Sequence, residues 1–167
     1  MERVDEKLTL EEEVVKLLQK KGMTITTAES CTGGLIAAGL VNVSGASDVL
    51  KLSVVTYSEE AKQRVLGVKA ETLEKYGVVS EETAYEMAVG ALEYAKADVA
   101  LSVTGIAGPG GGTKEKPVGL VFIGCNVQGR VTVERHLFQG DRLAVRESSV
   151  KAALILAKRC VLDDLEK

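Results

Sequence analysis

Three side chains that could act as nucleophiles stand together in the segment T-A-E-S-C-T-G-G at 27–34. Ser30 and Thr32 carry hydroxyls, and Cys31 between them carries a thiol. A short β-like run precedes the segment and an apolar helix-like run follows it. A strand that turns sharply into a helix exposes the side chain at the turn, and it directs free backbone N–H groups at one point. The segment therefore predicts an anion site, an activated nucleophile, or both.

The base that would activate Ser30 is the next question, because His136 is the only histidine and lies in a predicted strand. Lysine is the known substitute for histidine in this role. A helix N-terminus would instead favour a thiolate at Cys31, although the absence of a histidine partner indicates a buried spacer. Three alternatives stay open: a Ser30 nucleophile with a lysine base, a Cys31 thiol hydrolase, and a helix cap without chemistry.

A candidate base lies in the segment Y-S-E-E-A-K at 57–62. Lys62 would lie near the start of a helix capped by Ser58. The positive helix end and burial would both lower the pKa of Lys62 toward the neutral amine that a general base requires. Tyr57 could add a phenolic hydrogen bond. The alternative is an ordinary solvated lysine.

A glycine-rich loop follows a predicted strand, with five glycines and one proline in residues 105–112. It is neither a P-loop nor a dinucleotide-binding fingerprint, because both spacings fail. Its glycines would let a ligand approach the backbone and would expose N–H groups to anions. The loop is either an anion site or a flexible surface loop. Arg142, at the start of the last predicted helix, could add charge directed at a phosphate.

Composition limits the function classes. The net charge of −3 argues against broad nucleic-acid binding, and no apolar run approaches the length of a membrane span. Three cysteines without a C-x-x-C pair predict neither a disulfide framework nor a structural metal site. The charged first seven residues predict no signal peptide. We therefore expect a cytoplasmic protein with a single domain over residues 1–167.

The order of the predicted elements indicates the fold class. Strands are predicted at about 23–28, 50–57, 99–103, 118–127 and 130–138, the last two joined as a hairpin at Gln128-Gly129. Helices are predicted after the caps Thr9, Ser58, Ser80 and Asp141, and at 35–41 and 70–76. Helices alternate with strands early and a hairpin comes late. This order predicts a single-domain three-layer α/β/α sandwich with a mixed sheet.

The motifs taken together resemble the CinA C-terminal domain family of competence/damage-inducible proteins. They are T-A-E-S-C-T-G-G at 27–34, V-T-Y-S-E-E-A-K at 55–62, V-S at 79–80, S-V-T-G-I-A-G-P-G-G-G at 102–112, K-P-V-G at 116–119 and G-D-R at 140–142. The same domain occurs alone as a nicotinamide-nucleotide amidohydrolase. The resemblance implies cofactor-independent hydrolysis of nicotinamide mononucleotide in pyridine-nucleotide recycling by a homodimer. We expect no room for the companion N-terminal domain of many relatives.

The resemblance also implies roles for individual residues. Ser30 matches the nucleophile and Lys62 the general base, with Tyr57 nearby. The substrate-binding surroundings would comprise Cys31, Thr32, Gly33, Thr104, Gly105, Ile106, Ala107, Gly108, Pro109 and Arg142. Position 59 is Glu where Asn is expected in many relatives, and its charge would oppose a neutral Lys62. A rival hypothesis is a non-enzymatic nucleotide-sensing or partner-binding domain on the same scaffold.

Overall fold

A five-stranded sheet with helices on both faces forms the fold in this computed structural model, which describes residues 7–164. The strands are β1 (Ile25–Glu29), β2 (Val54–Val55), β3 (Val99–Gly105), β4 (Leu120–Val127) and β5 (Arg130–Leu137). The helices are α1 (Leu10–Lys21), α2 (Leu35–Val41), α3 (Glu59–Leu66), α4 (Ala70–Tyr76), α5 (Glu81–Ala95) and α6 (Arg142–Asp163), with a short 3-10 helix at Ala46–Asp48.

The sheet is mixed, with the strand order β2-β1-β3-β4-β5. Strand β1 is parallel to both of its neighbours, whereas β3, β4 and β5 pair in an antiparallel manner. The carboxyl ends of β1, β2 and β3 therefore lie at one edge of the sheet. In sheets of this kind the crevice outside those ends is the usual place for a ligand.

Side chains that alternate along the central strands separate the two hydrophobic layers. Ile25 and Leu101 belong to the cluster that α1, α2 and α6 cover. Ala28 and Ala100 belong to the opposite cluster, under α3, α4 and α5. The prediction of a three-layer sandwich with a mixed sheet is confirmed.

The predicted helix caps are confirmed. The side chains of Thr9, Ser58, Ser80 and Asp141 each accept a hydrogen bond from a backbone N–H in the first turn of the helix that follows. The hairpin between β4 and β5 turns at Gln128-Gly129, as expected. Within residues 7–164, no helix combines the length and the apolar character that a membrane span requires.

The prediction of a long strand over 50–57 is wrong, because β2 is regular only at Val54–Val55. Side chains interrupt the ladder between β2 and β1 before that point. The Thr26 hydroxyl donates to the Leu52 carbonyl, and the Thr27 N–H donates to the Ser53 hydroxyl. An isolated bridge between Ile25 and Leu50 is all that remains of the pairing further back. The consequence is a short edge strand that leads directly into α3.

Helix α5 approaches the end of α3 so closely that Gly90 has no room for a side chain. A Cβ on Gly90 would overlap the carbonyl oxygen of Leu66. We expect Gly90→Ala to lower the free energy of unfolding by about 1–3 kcal/mol through overpacking. Gly39→Ala in α2 is the matched control, because its Cβ would make an ordinary 3.5 Å contact with Glu11. In urea unfolding, Gly39→Ala should raise the free energy of unfolding by about 0.5–1 kcal/mol, because alanine favours a helix over glycine. Equal effects of the two substitutions would contradict this packing.

Candidate active site

A serine and a lysine meet where β1 and β2 end. Ser30 follows β1 directly, and Lys62 lies one turn into α3, which begins after the Ser58 cap. The Lys62 Nζ lies 3.1 Å from the Ser30 Oγ and donates a 2.6 Å hydrogen bond to the Thr56 carbonyl oxygen. Lys62 is only 1% exposed, so it is not the solvated lysine of the alternative interpretation.

Burial controls the protonation of Lys62. Desolvation lowers the pKa of its amine from 10.5 to about 8, while the negative charge of Glu59 opposes this shift. The effect of Glu59 has the direction expected from the sequence. Among the described residues no carboxylate lies within 4 Å of the amine to form an ion pair. A substantial fraction of Lys62 is therefore neutral near pH 8, as a general base requires.

Cys31 is not an activated thiolate. Burial raises the pKa of the Cys31 thiol to about 11, and this outweighs the lowering by its own backbone N–H and by the charges of Lys62, Arg146 and Arg142. The expectation that a helix end would favour a thiolate is wrong for this reason. The expectation of a buried spacer is confirmed, because Cys31 is 6% exposed.

The start of α2 is occupied by a carboxylate that the sequence reasoning missed. Glu29 is buried and accepts hydrogen bonds from the N–H groups of Gly34, Ile36 and Ala37, at 3.0–3.2 Å, and from the Thr27 hydroxyl. A carboxylate is favourable at the positive end of a helix. These three N–H groups are thus not available to a ligand, and an anion at this turn must use other donors. An acidic residue directly before the turn was the available signal.

The cleft at the Ser30–Lys62 pair has a volume of about 390 Å³. Its lining comprises Ser30, Cys31, Tyr57, Ser58, Glu59, Lys62, Val78, Val79, Thr104 and Gly105. The Thr104 hydroxyl donates a 2.6 Å hydrogen bond to the Val78 carbonyl oxygen. Gly105 lies so close to β4 that a Cβ would approach Val121 Cγ2 to 2.6 Å. A larger groove between α3 and α5, of about 870 Å³, contains no comparable serine–lysine pair in its lining.

The other predicted binding residues lie outside the lining of this cleft. Ala107 belongs to the core cluster under α1, α2 and α6, whereas Ile106 packs against a separate small cluster on the side of α5. Pro109 is exposed. Gly33 is exposed, and Thr32 is fully buried with a hydroxyl that has no hydrogen-bond partner among residues 7–164. Their contacts with a substrate stay a prediction.

Arg142 and Tyr57 meet at the rim of the cleft. The guanidinium of Arg142 donates to the Gly108 carbonyl oxygen at 2.8 Å and to the Tyr57 hydroxyl at 3.1 Å. The Tyr57 hydroxyl therefore bonds to Arg142 rather than to Lys62. In the described part of the chain no carboxylate lies within 4 Å of Arg142, so the positive charge at this rim is not neutralised.

Arg146 is a second residue that the sequence reasoning missed. It lies one helical turn after Arg142 on α6, so that both side chains project from the same face. Its Nε donates to the Cys31 carbonyl oxygen at 2.9 Å, and its Nη2 donates to the Thr32 carbonyl oxygen at 3.1 Å. The arginine at this spacing was the only sequence signal. Arg146 thus holds the backbone of the turn that follows Ser30.

His136 has the structural role expected from the sequence. It lies on β5, which β3 and β4 separate from β1. Its ring stacks on Phe138 with the ring centres 5.0 Å apart, and its Nε2 lies 3.0 Å from the Glu134 carboxylate. A triad of Ser30 with His136 is therefore excluded by the strand order.

The fold and the site define a three-layer α/β protein with a buried lysine beside a half-buried serine at the carboxyl ends of parallel strands. The chain belongs to the CinA C-terminal domain family, whose sequence model matches residues 7–161. It is 54% identical over 154 residues to a CinA-like protein from Kosmotoga olearia, a match that covers 92% of this chain and 37% of that relative. The chain thus spans little more than a third of that relative's length.

Solved structures show the same fold. A CinA superfamily protein from Klebsiella pneumoniae superimposes with a TM-score of 0.89 at 39% identity, covering 92% of this chain and 96% of that one. A CinA superfamily protein from Escherichia coli gives a TM-score of 0.84 at 36% identity, covering 92% and 90% of the two chains. The resemblance found in the sequence motifs is therefore confirmed at the level of the family and the fold.

The buried amine of Lys62 should reduce stability at neutral pH. Between about pH 8 and 10.5 the unfolded chain binds a proton at Lys62 that the folded chain does not bind, so wild-type stability rises with pH in this window. The stability gain of Lys62→Met over wild type should therefore fall by up to about 3 kcal/mol as the pH rises through the window. Urea unfolding at several pH values measures it.

Lys114→Met, at an exposed position, is the control for the loss of a lysine charge. A difference between Lys62→Met and wild type that does not change with pH would show that the amine protonates in the folded protein as it does in the unfolded chain.

Proposed function

We propose that this chain is a serine–lysine amidohydrolase that converts nicotinamide mononucleotide to nicotinic acid mononucleotide and ammonia, as in pyridine-nucleotide recycling. The observation that carries the proposal is the 3.1 Å contact between Lys62 Nζ and Ser30 Oγ in a cleft where burial lowers the pKa of Lys62 to about 8. A hydroxyl becomes a nucleophile when an adjacent neutral base can take its proton. The family membership of the chain supports the same chemistry.

The proposed reaction begins when neutral Lys62 removes the proton from the Ser30 hydroxyl. The Ser30 oxygen attacks the carboxamide carbon, and a backbone N–H beside Ser30 stabilises the oxyanion. The lysine ammonium then gives its proton to the departing amine, and ammonia leaves. Water attacks the acyl-enzyme with Lys62 again as the base, and Lys62 returns that proton to the Ser30 oxygen as the carboxylic acid leaves. The Thr56 carbonyl oxygen holds the Lys62 amine in place through these steps.

The charge at the rim of the cleft supports an anionic substrate. Arg142 is exposed and unpaired with any carboxylate among the described residues, and its hydrogen bonds go to neutral oxygens of Gly108 and Tyr57. It can therefore attract a phosphate without first breaking an ion pair. We assign the substrate phosphate to this rim, because Glu29 occupies the start of α2. We assign Tyr57 to the same phosphate site, because its hydroxyl accepts a hydrogen bond from Arg142 and so orients the guanidinium.

Ammonia release from nicotinamide mononucleotide tests the proposal directly. We expect Ser30→Ala to lower kcat by on the order of 10³-fold or more, because no second nucleophile can replace the hydroxyl. Cys31→Ser is the matched control at the next position and should retain most of the activity, because the Cys31 thiol stays protonated at neutral pH.

A protein that binds the mononucleotide in calorimetry but releases no ammonia would contradict the enzyme and favour a sensing domain. An active Ser30→Ala variant would remove Ser30 from the mechanism. The homodimer implied by the resemblance stays a prediction, which sedimentation of the same preparations measures.

The pH dependence of the reaction should report the protonation of Lys62. Since the neutral amine is the base, kcat/KM should rise with pH and level off above about pH 8. The charge of Glu59 raises the pKa of Lys62, so Glu59→Gln should move the rise of kcat/KM to lower pH. Glu60→Gln is the control, because Glu60 is exposed and pairs with Arg64. If kcat/KM rises over the same pH range in wild type and in Glu59→Gln, the protonation of Lys62 does not set the pH dependence.

A further inference from the structure

The turn after Ser30 is held by two buried or partly buried side chains that do not line the cleft. The Glu29 carboxylate accepts hydrogen bonds from the N–H groups of Gly34, Ile36 and Ala37 on one side of the turn. The Arg146 guanidinium donates hydrogen bonds to the carbonyl oxygens of Cys31 and Thr32 on the other side. Every one of these bonds ends on the backbone, so the two side chains fix peptide planes rather than side-chain positions.

The contact with Arg146 is transmitted along the turn through two peptide groups. In a planar trans peptide the C=O and N–H bonds point in opposite directions. Arg146 holds the carbonyl of Thr32, and the N–H on the same peptide belongs to Gly33 and donates to the Ser30 carbonyl oxygen at 3.0 Å. That bond in turn fixes the peptide between Ser30 and Cys31. The N–H of Cys31 therefore has a direction set by Arg146.

The N–H of Cys31 is the donor that remains for the substrate. Apart from the contact with its own thiol, it makes no hydrogen bond in the described part of the chain, and Cys31 lines the cleft. The N–H of Ser30 already donates to the Val103 carbonyl oxygen, that of Gly33 to Ser30, and that of Gly34 to Glu29. Thr32 is fully buried and does not line the cleft.

We propose that Arg146 is a positioning residue for catalysis, which fixes the turn so that the Cys31 N–H points at the oxyanion formed on Ser30. This inference rests on the proposed function. Arg146 does not touch the substrate; it acts through the carbonyl oxygens of Cys31 and Thr32. Its role thus differs from that of Arg142, which lies at the rim and bonds to Tyr57 and Gly108.

The test compares Arg146→Met and Arg146→Lys with wild type in the ammonia assay. The Met side chain keeps the apolar stem and loses all donors, whereas a lysine keeps the charge but cannot hold two carbonyl groups in a fixed fork. We expect kcat to fall by about 10²-fold in Arg146→Met, with KM within about two-fold of wild type, because misplaced donors weaken the transition state only. Methylguanidinium should restore part of kcat in Arg146→Ala.

A second readout does not depend on the substrate. A fluorophosphonate probe forms a bond between its phosphorus and Ser30 Oγ while fluoride leaves and the hydroxyl proton passes to Lys62. Its labelling rate should fall in parallel with kcat in Arg146→Met, and Ser30→Ala should not be labelled. Arg159→Met, on the same helix in an exposed ion pair with Glu134, is the matched control and should label at the wild-type rate.

The outcomes separate the two proposals. Unchanged kcat and labelling in Arg146→Met, or a rise in KM alone, would overturn the role of Arg146. Wild-type labelling without ammonia release would overturn the proposed substrate, while the labelling rates still decide the role of Arg146. If Arg146→Met does not fold, as judged by its melting temperature, Arg146→Lys with methylguanidinium rescue of Arg146→Ala decides the same question.

Discussion

A lysine amine removed from water is the constraint on which the site depends. Lys62 is almost fully buried, and its partners are a serine hydroxyl and a backbone carbonyl, neither of which carries a charge. Such an environment disfavours the ammonium and leaves the neutral amine beside Ser30. The short edge strand β2 makes this possible, because it delivers Thr56 and the start of α3 directly to the end of β1.

The turn after Ser30 shows how a fold divides the backbone groups of one helix end between structure and chemistry. Glu29 takes the N–H groups inside α2, so the helix end is stabilised from within the protein. Arg146 takes the carbonyl groups that face the other way. Because the two side chains carry opposite charges and bind opposite ends of peptide dipoles, each is satisfied without contact to the other. Little is left for a ligand apart from the first peptide group of the turn.

Local signals were sufficient to predict much of the fold. The caps at Ser58, Ser80 and Asp141 were predicted because capping depends on residues three positions apart. Residue chemistry made Lys62 a candidate base for Ser30, and the family resemblance assigned the two as a pair, since spacing alone could not bring residues 32 positions apart together. Glu29 and Arg146 were missed because both bind backbone groups, and no residue type in the sequence marks which backbone N–H or carbonyl group a side chain will bind. The long strand over 50–57 failed because threonine and serine side chains replaced ladder bonds.

The antiparallel pairing of β3 with β4 places the Gln128-Gly129 turn at the opposite edge of the sheet from Ser30. The Gln128 N–H donates to the Asp98 carbonyl just before β3 begins, and both turn residues are exposed. Gly129 has a φ of 97° and therefore stays a glycine, which leaves the exposed Gln128 side chain for attachment. This turn is therefore a natural attachment point for a tether or a reporter domain, since a protein immobilised through it would present its cleft to the solution.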